Sequence, residues 1–183
     1  MIESLEVRWF LPGPIPDPVQ AWFEGLGLQV ALEARTDRYL IPTESDDLGL
    51  KVREGRVEAK QRAGQGERGR WGSAEAAPAS WRKWSLGLAT DAPLAPGWAD
   101  VAKARRQRWV QGEGAACALE LAEVSLEGAV WWSICLEASG GERMARQRVF
   151  EDAAGRWLDR SDAPSLSPAA ACGYPAWLRR EAG

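Results

Sequence analysis

The stretch LGLKVREGRVEAKQR, residues 48–62, sets Lys51 and Arg53 in alternation with Leu50 and Val52, then Lys60 and Arg62 in alternation with Ala59 and Gln61. Period-two alternation puts residues i and i+2 on one face of a strand, and Glu54-Gly55-Arg56 between the two runs supplies a turn. The pattern predicts a hairpin that gathers its positive charge on a single face. In an isolated hairpin such a face reads most simply as the solvated side of a half-buried sheet. Same-face neighbours on a strand lie roughly 7 Å apart, so like charges there repel by about 2–3 kcal/mol per pair at an effective dielectric near 20. Turned into a cavity, the face needs compensation, either from interior glutamates or from a bound polyanion.

The rest of the chain decides between exterior and cavity. LEVRWFL, residues 5–11, alternates Leu5, Val7 and Trp9 with Glu6, Arg8 and Phe10, a strand with two chemically different faces. GPIPDPVQAWFEGLG follows as a helix, with Asp17 expected as its cap, Pro18 as its first residue, Val19, Trp22, Phe23 and Leu26 on one side, and Gly25 or Gly27 at its end. TDRYLIP leads into the hairpin. Residues 63–80, rich in Gly, Ala and Ser, read as a mobile loop or excursion. WRKWSLGL, VAKARRQRWV, ACALELAEV and AVWWSICLEA read as four more strands, the first two separated by a Pro/Gly-marked loop, DAPLAPGW. From Gly141 the pattern turns helical, with ERMARQRVFEDAAGRWL as the main helix and PAWLRR as a short one.

Many strands with short connections, one helix near the start and others at the end predict an α+β fold: a single domain over residues 1–183 built on an antiparallel sheet closed or nearly closed into a barrel, with a helical region over 141–183. Closure would point alternate residues of every strand into one shared interior. Leu48, Leu50, Val52 and Val57 on the hairpin's other face would then be covered by helices outside the barrel.

Composition narrows the chemistry. The 183 residues are 45% hydrophobic and 27% charged, with a formal net charge of −3, an ordinary globular balance that argues against a general DNA or RNA binder, which needs a basic surplus over its surface. Any anion site must be local. No run approaches the roughly 20 apolar residues of a membrane span, and the first residues lack a signal-peptide core, so a cytoplasmic location is expected. With no histidine and three scattered cysteines, a zinc site, a disulfide framework and serine–histidine or cysteine–histidine catalysis are not expected. The sequence is silent on assembly, a homodimer being the commonest oligomer.

The order of the parts resembles the CYTH proteins, or triphosphate tunnel metalloenzymes, which include thiamine triphosphatases, inorganic tripolyphosphatases and class IV adenylate cyclases. SLEVR stands where that family has E-x-E-x-K, TDRY resembles its D-x-Y stretch, LKVREG its R-x-R strand, and EAKQR its Lys-bearing strand. KARRQR is similar to its K-x-R strand, LELAEV to L-D-x-V, VWWSICLEA takes the place of the E-x-E strand, and GYPAWL looks like the S-Y-x-x-x-L end. The resemblance implies an eight-stranded antiparallel tunnel in which basic residues grip a triphosphate and glutamates hold a divalent metal. Arg8 matches the Lys of the opening motif, Lys51 and Arg53 the R-x-R pair, Lys60 the next strand's Lys, and Lys103 and Arg105 the K-x-R. With Arg62, which alternates with Lys60, these form the expected phosphate-binding set.

The implied metal half departs from the family pattern. Of the opening glutamates only Glu6 remains, Ser4 replacing the other; the Asp of L-D-x-V is Ala122, and the E-x-E pair reads Ser133 and Cys135. Glu58, Glu120 and Glu137 share faces with Lys60, Ala122 and Cys135, so with Glu6 they are the candidate ligands for Mg or Mn, ions that take one or two carboxylates together with substrate phosphates. The leading expectation is a protein that binds triphosphate, polyphosphate or a nucleotide, with a metal-dependent triphosphate hydrolase as the alternative. Of the eleven tryptophans, most read as core; Trp84 or Trp132 at a tunnel mouth would be placed to stack an adenine or thiazole-like ring.

Overall fold

A computed structural model describes residues 1–27, 30–42, 44–87 and 96–182. Ten strands and three α-helices follow in chain order: β1 (Ile2–Pro12), α1 (Asp17–Glu24), β2 (Glu33–Leu40), β3 (Leu48–Arg53), β4 (Arg56–Gln65), β5 (Gly69–Trp71), β6 (Ala74–Ala76), β7 (Ala79–Gly87), β8 (Trp98–Gln111), β9 (Ala116–Leu126), β10 (Ala129–Ser139), α2 (Arg143–Leu158) and α3 (Tyr174–Glu181). Eight strands close a barrel in the order β1-β10-β9-β8-β2-β3-β4-β7, and β7 pairs back with β1. Every pairing is antiparallel. The architecture is the expected α+β fold, an eight-stranded antiparallel barrel flanked by helices. No described helix is long and apolar enough to cross a membrane.

The alternation of β1 sets the inside from the outside. Leu5, Val7 and Trp9 join Leu119, Leu121, Ile134 and Leu136 of β9 and β10 in one buried cluster, which α2 covers with Val149, Phe150, Ala153, Trp157 and Leu158, and α1 with Val19, Trp22 and Phe23. Burial of this apolar outer wall favours the arrangement by roughly 25 cal/mol per Å² and forces Glu6 and Arg8 inward. β8 is sorted in the same way. Arg106 and Arg108 turn out to hold α1, donating to the Gln20 amide oxygen at 3.2 Å and the Phe23 carbonyl at 3.0 Å, while Lys103 and Arg105 turn in. A second cluster, built on Phe10, Tyr39, Val101, Val124, Trp177 and Leu178, seats α3 at one end of the barrel.

The hairpin of β3 and β4 turns at Glu54 (φ 48°) and Gly55 (φ 68°), two consecutive left-handed residues that match strand twist in a two-residue connection. Its outer face departs from expectation. The main helix α2 packs on β1, β9 and β10 instead, α3 meets β3 where Pro175 lies against Gly49, and Leu48 stays 47% exposed. The inward turn of the charged face therefore follows from barrel closure and the covered wall of β1, β9 and β10, and not from the main helix, which lies away from this hairpin.

Two local expectations are corrected. Asp17 does not cap α1: Pro16 holds the cap position, its carbonyl receiving the Val19 and Gln20 amides, and Asp17 is the first helical residue, where its charge suits the helix dipole. Residues 63–80 are not a plain loop. They complete β4 and form the β5–β6 hairpin, whose Trp71 packs edge-on against Phe150 at 5.6 Å and donates to Glu151 at 3.0 Å. Gly72 in its turn has φ 55° and would bring a Cβ to 2.3 Å from the Leu158 carbonyl oxygen, so glycine is required for the hairpin to dock on α2. The DAPLAPGW loop lies largely outside the described residues.

Candidate functional site

Closure brings inward-facing residues from every wall around a cavity of about 350 Å³, within the size range of small-ligand sites. Among the described residues, eight cationic side chains and four glutamates line it. Six of the seven sequence-predicted phosphate-binding residues are there: Arg8, Lys51, Arg53, Lys60, Lys103 and Arg105. Arg62 is not. Beside the register shift that follows it in β4, it pairs with Asp47 at 3.1 Å, lies over the Trp81 ring and lines a second cavity of about 320 Å³.

The interior charges form three clusters. In the first, the Glu120 carboxylate, 3% exposed, accepts from Arg8 Nη1 at 2.9 Å, Lys103 Nζ at 2.6 Å, Arg105 Nη1 at 2.9 Å and Gln107 Nε2 at 3.2 Å. Burial alone would raise its pKa, but Lys103 and Arg8 hold it well below the usual carboxylate range. In the second, Asp37, 1% exposed, accepts from Lys51 at 3.1 Å, from Arg53 at 2.8 and 3.1 Å, and from Arg35 at 3.4 Å. Burial opposes its ionisation, and the Arg53 hydrogen bond with the Lys51 charge overcomes it, leaving a pKa of about 2. In the third, Lys60 binds Glu6 and reaches Glu137 at 3.2 Å, while Arg8 Nε lies 3.5 Å from Glu6.

Two of these clusters set three cations around one central carboxylate, with Glu58 also beside Lys51 and Arg53 and Glu33 pairing with Arg35 and Arg105. Lys83 of β7 faces the cavity as well, where its charge helps Lys51 and Arg53 hold Glu58 below the usual carboxylate range. Lys51 feels its burial most: desolvation, with a smaller part from the Arg53 charge, outweighs the attraction of Asp37 and Glu58 and depresses its pKa to about 8. A lysine with two carboxylates in contact is normally held above its usual value.

The end of the cavity is aromatic. Tyr174 of α3 stacks on Tyr39 with centroids 5.0 Å apart, and the Arg8 guanidinium and Lys103 ammonium lie 5.0 and 5.4 Å from its ring. Trp81 and Trp109 also line the wall. Trp84 and Trp132, the tryptophans expected at the mouth, do not: Trp132 belongs to the core under the helices, and Trp84 is absent from the lining. Cys135 is buried, and burial pushes its thiol pKa well up, so it acts as a small neutral filler.

The candidate metal ligands do not fit a divalent ion. Glu58 sits with Lys51 at 3.2 Å and Arg53 at 3.9 Å, Glu120 is consumed by its four donors, and Glu6 and Glu137 flank Lys60. Among the described residues no three acidic or thiol side chains converge to hold a metal. A hard cation needs six or more oxygens around it, and here each carboxylate already has a cationic neighbour from the protein.

Sequence reasoning missed Arg35, Asp37, Tyr39 and Lys83 as site residues. The signal was available. Arg35, Asp37 and Tyr39 alternate along β2 in the way Lys51 and Arg53 do along β3, and Trp81 and Lys83 do so along β7. No protein-family model matches the chain, and a search among curated proteins finds no match.

Proposed function

We propose that this protein is a divergent CYTH-type barrel that binds a compact polyanion, of the triphosphate, polyphosphate or nucleotide class, in its central cavity without hydrolysing it. The observation that carries the reading is the surplus of positive charge around the cavity: eight cations line it against four glutamates, and the surplus persists when Asp37 and Glu33, which pair with Lys51, Arg53, Arg35 and Arg105, are counted as well. Low-dielectric walls focus such a field, and a chain of phosphates offers one acceptor group after another to Lys51 and Arg53 on β3 and to Lys103 and Arg105 on β8, the two strands that flank β2. The order of the strand motifs supports the kinship, and the closed eight-stranded barrel agrees with it. The alternative, a Mg- or Mn-dependent triphosphate hydrolase, would require Glu6, Glu58, Glu120 and Glu137 to gather on one ion, and their existing partners favour binding over hydrolysis.

The test is calorimetric titration with tripolyphosphate at pH 8 in the presence of EDTA. Saturable binding is expected with chelator, and no orthophosphate should appear when Mg or Mn is supplied. Because the Lys51 pKa is lowered to about 8 and bound phosphate favours the ammonium, binding should take up as much as about half a proton. That uptake, read from two buffers of different ionisation enthalpy, should shrink in Lys51→Met, and affinity should fall as pH rises above 8. Binding seen only with metal, accompanied by orthophosphate release that Glu6→Gln abolishes, would establish the hydrolase instead.

A further inference from the structure

We propose that the Lys60 ammonium is the resident cation of the Glu6–Glu137 pair, occupying the place between them that a divalent ion would need, and that removing it converts this pair into a divalent-cation site. The inference deepens the binding reading and accounts for its metal independence.

Glu6 and Glu137 lie directly opposite each other in the β1–β10 register. Like charges opposed across an antiparallel pair are destabilising unless something joins them. Lys60 joins them from β4, across β7, with hydrogen bonds to Glu6 Oε2 and to Glu137 Oε1 at 3.2 Å. The remaining side of its ammonium lies over Trp81, 5.4 Å from the ring centroid. Two donors are spent on carboxylates and the third direction is aromatic, so Lys60 acts as an internal counter-ion and not as a phosphate grip.

The other groups facing the pair are Ser4, which hydrogen-bonds Glu137, Arg8, whose Nε is 3.5 Å from Glu6, and the neutral Cys135. Burial alone would lower the Lys60 pKa, but Glu137 and Glu6 raise it above the usual lysine value. The Lys60 charge in turn holds Glu137 at about 2. A divalent ion would have to displace the ammonium that already joins the two carboxylates to sit between them.

Lys60→Met keeps the stem and removes the charge, leaving two carboxylates and the Ser4 hydroxyl as oxygen donors. Mn²⁺ binding is then measured by electron paramagnetic resonance on the wild type, Lys60→Met and Lys60→Met/Glu6→Gln. Lys60→Met should gain one Mn²⁺ site about tenfold or more tighter than any in the wild type. The site should disappear in the double variant, and Mn²⁺ should raise the Tm of Lys60→Met alone. A folded Lys60→Met that binds Mn²⁺ no better than the wild type overturns the proposal. If that variant does not fold, the wild type decides: a stoichiometric Mn²⁺ site abolished by Glu6→Gln overturns the proposal, and its absence supports it. Wild-type tripolyphosphate affinity is measured alongside in EDTA, so a failure of the anion reading would show there while the Mn²⁺ results still judge Lys60.

Discussion

Glu120→Gln is expected to lower folding stability by about 3–5 kcal/mol, the usual cost of removing one partner from a buried ion pair. Glutamine keeps the shape and the acceptor oxygen but not the charge, and it would leave Arg8 and Lys103, each 7% exposed, and Arg105 without their shared anion. Urea denaturation reads the loss as a lower midpoint. The same experiment with tripolyphosphate separates an interior ion-pair network from a ligand site, because a ligand that binds only the folded state adds stability that grows with the logarithm of its concentration relative to Kd. The freed cations should bind tripolyphosphate more tightly, so the variant should regain more stability than the wild type gains. A variant as stable as the wild type would refute the charged hub.

The sign of the acid response follows from the same carboxylates. Asp37 and Glu137 are held at about 2, below the ordinary unfolded values near 4. Their contribution is therefore complete above the unfolded pKa and is lost as pH falls through the folded one. Acid unfolding of the wild type should accordingly set in below about pH 4.

Lys51→Ala combined with Arg53→Ala is expected to weaken tripolyphosphate binding by about 10²–10⁴-fold, at roughly 1.5–3 kcal/mol for each charge-assisted contact. The loss has two sources. Both donors disappear, and Asp37 is left ionised with Arg35 as its remaining cation, which places a negative charge beside the ligand. Arg38→Ala is the control. Arg38 sits on the outer face of β2, 49% exposed and paired with Asp100 at 2.7 Å, so its loss should leave affinity unchanged. Undiminished binding in the double variant would remove the β2–β3 wall from the site.

The parts of the fold that could be read from sequence are those fixed by neighbours along the chain. The opposite faces of β1, the Glu54-Gly55 turn and the helical pattern after Gly141 all depend on spacings of a few residues, and all appear as expected. The barrel followed from strand number and short connections. The β5–β6 hairpin was missed because its Gly and Ala content resembles a loop, and only docking of Trp71 on Phe150 gives it a core to rest on. The helical cover was assigned to the charged hairpin, yet the main helix lies on β1, β9 and β10, whose packing no local pattern specifies.

The site divides along the same line. Which residues face inward was legible from alternation, and six predicted cations do meet in one cavity. Which carboxylate neutralises which cation was not. Arg8 and Glu120 are 112 positions apart, and Lys60 and Glu137 are 77 apart. Such pairings arise from register across strands distant in sequence, and they turn the four candidate metal ligands into partners of the protein's own cations.

The most direct measurement is a crystal structure of the protein grown with tripolyphosphate and EDTA. A linear run of phosphates inside the barrel, with oxygens in hydrogen-bond reach of Lys51 and Arg53 on β3 and of Lys103 and Arg105 on β8, is the predicted result. A barrel interior free of phosphate at saturating ligand, or phosphates bound only outside it, would contradict the account.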